Sequence, residues 1–346
     1  MMRERPRVGV VGASGFSGAT LARLLAAHPK LRLAFCTSDR HVGEPVDRHL
    51  GMHVEGGLKF AANGAAEELA GECDVVMLAT SAEVSASLAP RVLARGKHTI
   101  DLSGAFRLET AADYAKWYGF EHPAAPLLSR AHYGLPEIFG SPATPRDEEP
   151  TLVANPGCYA TAAILALAPL LRAGLVDSAG LIVDAKSGVT GAGRQASEPY
   201  SFAEIDEDLR AYKLLTHQHT PEIARALRLP SLTFTPHLLP IRRGLLATCY
   251  ARPRAGTTPS AIEQCFQDTY ASRAFIELCA PDRVRLHDVV GTNRARVGAT
   301  ANGDVVIVVC AIDNLLKGAA GQALQNLNLL YGEDESLGLT HLHRIA

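Results

Sequence analysis

Of the seven cysteines, at positions 36, 73, 158, 249, 265, 279 and 310, only Cys158 has a setting that could activate a thiol. It lies in Asn155-Pro156-Gly157-Cys158-Tyr159-Ala160-Thr161, between a strand-like run and the apolar stretch Ala162 to Leu171. Pro156 and Gly157 break the strand and place Cys158 in the first turn of a helix, where unpaired N–H groups and the positive dipole end favour a thiolate. The same N–H groups can hold an oxyanion on a carbonyl that the sulfur attacks. The other six cysteines fall in strands or on apolar helix faces and read as small buried hydrophobes. An odd number of cysteines without C-x-x-C or Cys/His spacing speaks against a disulfide framework and against structural zinc.

A second cluster of reactive side chains is His217-Gln218-His219-Thr220-Pro221-Glu222-Ile223. Thr220 suits a helix N-cap, Pro221 the first helical position and Glu222 the positive dipole end, so the spacing predicts a helix starting here. His217 and His219 then lie on the loop leading in, where an imidazole can meet a substrate and act as a general acid near neutral pH. The sequence favours His219 as the acid, since its backbone adjoins the cap, and leaves the freer His217 as a substrate or phosphate contact. Two histidines at i, i+2 without acidic or cysteine neighbours make a poor zinc site, so no metal is expected. His237, in the apolar run Thr235 to Pro240, reads as structural.

Three loops could hold anions. Arg7 to Val11 is a short β-branched run ending in Gly12-Ala13-Ser14-Gly15-Phe16-Ser17-Gly18, and a helical pattern follows at once. A glycine-rich turn between a first strand and a first helix lets the backbone approach a pyrophosphate at the helix N-terminus, which makes Gly12, Ser14, Gly15, Phe16, Ser17 and Gly18 dinucleotide candidates. About 20 residues beyond the last glycine, where the ribose is read and an acidic residue favours NAD, the chain reads Thr37-Ser38-Asp39-Arg40. Ser38 and Arg40 can bind a 2′-phosphate, so NADP is the expected cofactor; an Asp39 carboxylate turned to the ribose would reverse that preference. Ser103 and Arg107 follow a strand at the sheet edge where such folds bind ligands, and Arg107 could clamp a phosphate. Lys186 and Arg194 bracket a glycine-rich cationic loop suited to substrate carboxylates. Asn155, beside the thiol, joins these substrate-binding candidates.

The elements that position these residues alternate. Strands are expected at 31–36, 74–79 and 98–102, with helices after the glycine loop and over Ala82 to Ala94, which predicts an α/β, Rossmann-type doubly wound parallel sheet over residues 1–150. The polar, proline-bearing stretch Ser141 to Pro150 reads as a surface loop at the boundary. Beyond it come the Cys158 helix and strand-like runs at 181–185, 232–236, 245–251 and 305–311, a mixed sheet in an α+β substrate and dimerisation domain over 151–312. Residues 313–346 return to complete the first domain through the apolar helix Lys317 to Leu330. The 346-residue length suits two cores. A net charge of -2 leaves no basic excess for nucleic acid. The N-terminus lacks the apolar core of a signal peptide, and no apolar run reaches the roughly 18 residues of a membrane span, so a cytoplasmic protein is expected.

Taken together, the motifs resemble the N-acetyl-gamma-glutamyl-phosphate reductases of arginine biosynthesis, in the aspartate-semialdehyde dehydrogenase-like superfamily. The resemblance runs from Val8 to about Leu330 and rests on GASGFSG at 12–18, NPGCY at 155–159, HQHTPEI at 217–223, FTPHLLP at 234–240 and DNLLKGAAGQA at 313–323. The chain departs from the family pattern at Ala160, Gln218 and Gly104-Ala105. The resemblance implies an oxidoreductase that takes NADPH and a small acyl phosphate, forms a thioester on Cys158 and releases an aldehyde, with one of His217 and His219 assisting. It also implies a homo-oligomer, a dimer or tetramer, and places Asn314, Lys317 and Gly318 near the nicotinamide or the cofactor phosphates. A reductase of aspartyl phosphate or carrier-linked aminoadipyl phosphate would share the thiol, but HQHTPEI argues against the aspartyl substrate. A dinucleotide-binding regulator would need no thiol at a helix start.

Overall fold

The structure, a computed structural model, describes residues 5–142, 149–194 and 202–340. The chain forms two compact units, Met1–Pro156 with Ala319–Ala346, and Gly157–Gly318. Both junctions fall a few residues later than the boundaries at 150 and 312 expected from the sequence. Most of the expected boundary loop, residues 143–148, lies outside the described residues.

The first unit is built on a six-stranded sheet in the order β2-β1-β3-β4-β6-β5. Its strands are β1 (Arg7–Val11), β2 (Arg32–Cys36), β3 (Val75–Leu78), β4 (His98–Asp101), β5 (His132–Tyr133) and β6 (Leu152–Ala154). Every pairing is parallel. Parallel neighbours need crossovers, and helices Phe16–Ala26 and Ala82–Ala94 supply two of them. The strands are buried, as near-continuous apolar runs such as Val75-Val76-Met77-Leu78 dictate. Strand order reverses between β1 and β3, the switch point at which such sheets bind ligands beyond their C-terminal ends. Helix Gly321–Leu330 packs on Phe16–Ala26.

The second unit holds a seven-stranded mixed sheet in the order β11-β12-β13-β10-β7-β9-β8. The ranges are β7 (Ile182–Gly188), β8 (Arg210–Ala211), β9 (Thr233–Leu239), β10 (Leu245–Ala251), β11 (Ile276–Leu278), β12 (Ala295–Ala301) and β13 (Val306–Ile312). Burial alternates cleanly along β7, β9 and β10. One face, with Val183, Ala185, Ala247 and Cys249, is buried. Helix Cys158–Arg172 packs on β10, β12 and β13 and on helices His219–Leu227 and Pro259–Tyr270. Its residues from Tyr159 to Leu170 are all buried, as an all-round apolar sequence requires. The other sheet face, with Ile182, Asp184, Lys186 and His237, keeps solvent exposure.

Candidate active site

The glycine loop follows from packing at the switch point. Gly12 has φ +82°, a left-handed backbone, and a Cβ there would lie 2.6 Å from the Ala79 carbonyl oxygen at the end of β3. A Cβ on Gly18 would lie 2.3 Å from the Gly12 carbonyl oxygen, so the first turn of the helix can close on the loop only without a side chain. Gly15 occupies the N-cap of Phe16–Ala26, no side chain caps that end, and no acidic residue stands in its first turn. The helix N-terminus thus fits an anion, and these residues could hold a dinucleotide pyrophosphate. At the end of β2, Ser38 is buried and donates to Ser14 Oγ at 2.8 Å, tying that strand end to the glycine loop, while Arg40 is exposed.

Ser103, Arg107 and Asn155 come together at the C-terminal ends of β4 and β6, all buried. Ser103 Oγ donates to Asp101 Oδ2 at 2.8 Å and accepts from Ala105 N at 3.1 Å. Arg107 Nε donates to the Asn155 carbonyl at 2.8 Å and its Nη2 to the Leu102 carbonyl at 2.7 Å. Asn155 Nδ2 donates to the Ala319 carbonyl, and its Oδ1 accepts from Asn326 Nδ2. Burial pushes the Asp101 carboxyl above its usual range, against the pull of the Ser103 hydrogen bond and the Arg107 charge. These side chains brace two strand ends, with a buried guanidinium among them.

In the second unit, Cys158 is the first residue of Cys158–Arg172 and is half-buried. The residue before it is held in place: Gly157 N donates to Glu222 Oε1 at 2.8 Å. Glu222 has no exposed surface, and its Oε2 lies 3.8 Å from His219 Nε2. One carboxylate therefore bridges the turn that carries the thiol and an imidazole. Gly318 closes the other side, since a Cβ there would lie 2.6 Å from Cys158 Cβ. It belongs to a π-helical turn, Leu316–Ala320, in which Gly318 N donates to the Asp313 carbonyl five residues back. Glu222 and the packing role of Gly318 were not apparent as site features in the sequence.

The histidine loop differs from the expectation. The helix starts at His219, not after Thr220, because Thr220 N already bonds the His217 carbonyl at 2.9 Å and so closes the turn early. His217 Nδ1 accepts from His219 N at 3.1 Å, so the imidazole takes the capping role given to Thr220. His217, expected to be the freer of the pair, is thus tied by its ring to the backbone of His219. Burial, with smaller contributions from His219 and Lys213, pushes His217 down to about 2, so it is neutral and accepts through Nδ1. Tyr159 and Phe234 pack edge-on around it.

Three further candidate residues have partners within the protein. Lys186 lies on the sheet face away from the helices, paired with Asp184 at 2.7 Å; period-two alternation along β7 turns it from the face that bears Cys158–Arg172. Lys317 has no exposed surface, and its Nζ sits 5.5 Å over the Phe275 ring. Asn314 is engaged at both amide ends, donating to Thr190 Oγ1 at 3.0 Å and accepting from Gly244 N at 2.9 Å, and so braces two loops. Arg194 is exposed. Among the described residues no group of three or more histidine, cysteine or acidic side chains could hold a metal ion, and no helix is long and apolar enough to cross a membrane.

A parallel sheet with a glycine loop, followed by a mixed-sheet unit with a cysteine at a helix start, is the arrangement that two semialdehyde dehydrogenase family models match. Residues 7–143 match the semialdehyde dehydrogenase NAD binding domain and residues 158–314 the semialdehyde dehydrogenase dimerisation domain. Among solved structures, aspartate semialdehyde dehydrogenase II of Vibrio cholerae, complexed with ASA, shares the fold at a TM-score of 0.70 and 18% identity, covering 95% of this chain and 98% of that one. A probable aspartate-semialdehyde dehydrogenase from Pseudomonas aeruginosa does so at 0.69 and 22% identity, covering 94% and 98%. Sequence relatives are more specific. N-acetyl-gamma-glutamyl-phosphate reductase of Ectopseudomonas mendocina is 44% identical over 97% of this chain and 98% of its own length. Its namesake in Desulforudis audaxviator is 43% identical over 96% and 97%. The chain belongs to the N-acetyl-gamma-glutamyl-phosphate reductase family.

Proposed function

We propose that the chain reduces N-acetyl-gamma-glutamyl phosphate to N-acetyl-glutamate 5-semialdehyde, with release of phosphate, as a step of arginine biosynthesis in the cytoplasm. The observation that carries the reading is the carboxylate of Glu222, which holds the Gly157 N–H beside Cys158 with one oxygen and faces His219 with the other.

His219 takes the proton of the Cys158 thiol, and the sulfur attacks the acyl carbonyl while the N-terminal N–H groups of Cys158–Arg172 steady the oxyanion. The carbon–oxygen bond to phosphate breaks, the phosphate leaves and takes a proton from solvent, and a thioester on Cys158 remains. NADPH, when bound, would supply hydride for this thioester carbon. The carbon–sulfur bond then breaks, the aldehyde leaves, and the thiolate takes its proton back from His219. Glu222 orients His219. His217, neutral and locked to the backbone, shapes the pocket wall and contacts substrate. Gly12, Ser14, Gly15, Phe16, Ser17 and Gly18 would hold the pyrophosphate and Arg40 the 2′-phosphate, with Ser38 fixing Ser14. The half-exposed sheet face bearing Asp184, Lys186 and His237 suits a second copy of the chain, in keeping with the dimerisation-domain match.

The test replaces Cys158 with serine, which packs alike but is a far weaker nucleophile at neutral pH. Cys158→Ser should bind NADPH as the wild type does and lose turnover; activity above a few per cent of wild type would sink the thioester route. Phosphate-dependent NADP reduction, assayed with N-acetyl-glutamate semialdehyde beside aspartate semialdehyde, should favour the former.

A further inference from the structure

The end of β2 presents a contradiction: Asp39 stands where a carboxylate selects the free ribose hydroxyls of NAD, next to Arg40, which suits the 2′-phosphate of NADP. The carboxylate is already taken. Asn63 N donates to Asp39 Oδ1 at 2.8 Å and Asn63 Nδ2 to Asp39 Oδ2 at 2.8 Å. Asn63 is itself oriented, because Thr37 Oγ1 donates to Asn63 Oδ1 at 2.6 Å. Thr37 Oγ1 in turn accepts from Gly12 N at 3.2 Å. The relay runs from the first glycine of the phosphate loop through Thr37 to Asn63 and ends on both oxygens of Asp39. Only an asparagine serves all three contacts, since its amide accepts from the hydroxyl and donates to the carboxylate. An aspartate at 63 would repel Asp39, and an alanine would leave one of its oxygens to water, free to turn.

We infer that Asn63 is a positioning residue for cofactor choice: it holds the Asp39 carboxylate away from the adenosine ribose and so leaves the site open to a 2′-phosphate. The inference rests on the reading that a dinucleotide binds the Gly12 to Gly18 loop with its ribose at Ser38 to Arg40. Asn63 also opens the 3-10 turn Asn63–Ala65, so Asp39 acts as the cap of that turn as well.

Dissociation constants of NADPH and NADH, measured by titration calorimetry without substrate, test it. Wild type should prefer NADPH, and Arg40→Ala should weaken NADPH while sparing NADH. Asn63→Ala should lower the NADPH/NADH preference by about tenfold or more, the order expected from freeing one charge-assisted hydrogen bond. Asp39→Ala should keep the wild-type ratio, and adding Asp39→Ala to Asn63→Ala should restore it. Asn63→Ser, whose short hydroxyl keeps the turn polar, serves if the alanine variant does not fold and should shift the ratio the same way. Ratios for folded Asn63 variants within twofold of wild type overturn the inference alone, as does a shift that Asp39→Ala fails to reverse. A wild type without NADPH preference, or Arg40→Ala weakening both cofactors equally, overturns the cofactor reading and the inference with it.

Discussion

Gly318→Ala isolates how closely the π-helical turn must approach the thiol. The added methyl would sit 2.6 Å from Cys158 Cβ, 3.1 Å from Cys158 Cα and 3.3 Å from Ile312 Cδ1. Carbon atoms pack best at about 3.5–4.0 Å, so the turn and the helix start must separate by about 1 Å. Two effects oppose each other. Alanine in a helical segment gains about 1 kcal/mol over glycine, whereas overpacking a filled interior costs about 1–3 kcal/mol. The balance is a small destabilisation, a shift of a few degrees in Tm. A displacement of about 1 Å at a nucleophile can cost about 10²-fold in rate, so activity should fall far more than stability. Steady-state kcat beside thermal unfolding reads both, and site-resolved mass spectrometry after iodoacetamide treatment follows Cys158. The other six cysteines make a quiet background: burial raises every one of their thiol pKa values, Cys36, Cys73 and Cys310 to about 12. A variant with kcat within threefold of wild type and an unchanged Cys158 alkylation rate would refute the reasoning.

The two histidines should separate across pH. His219→Ala should lose kcat by about 10²–10⁴-fold together with one limb of the pH profile, whereas His217→Ala should alter KM and leave the limb in place. An unchanged profile in both variants would move the proton transfer elsewhere. Acid stability follows from burial of neutral imidazoles. His217 is lowered from 6.5 to about 2, and His28, His98, His122 and His132 move in the same direction by desolvation. Below pH 6.5 the unfolded chain binds protons that the native state does not, so stability is full above that pH and falls as pH drops. His217 alone contributes up to about 1.4 kcal/mol per pH unit in that window. Urea midpoints at pH 7.5 and 5.5 should drop accordingly, and less in His217→Asn; a flat midpoint would contradict the assignment.

The sequence was legible where one element decides its own form. The glycine loop, every strand of the parallel sheet but the two-residue β5 and the start of the helix at Cys158 follow from local pattern, because β-branched runs, Pro156-Gly157 and apolar periodicity act within a few residues. β12 was not foreseen, since Ala295-Arg296-Val297-Gly298-Ala299-Thr300-Ala301 is small and weakly β-forming and holds its place by pairing with β13 over its whole length. The site was less legible where long-range partners decide. No local rule says that Glu222 reaches the Gly157 N–H, or that Asn63 reaches back to Asp39. The His217 ring replaces Thr220 as a cap for a similar reason: the surrounding aromatic packing fixes it where propensity alone favoured the threonine.

The return of the chain to the first unit through Gly321–Leu330 has a consequence for biosynthesis. A nascent chain emerging from the ribosome presents the parallel sheet early, but the face of Phe16–Ala26 that this helix covers stays open until the whole intervening unit has been made. That face must therefore stay in water until the last segment arrives, and the segment must stay in water until it finds the face. Its composition suits that order, since Gln322, Gln325, Asn326 and Asn328 are all buried in the finished protein yet well solvated before docking. A greasier helix would close the unit more strongly and would also be the stickier intermediate, inviting capture by another half-made chain.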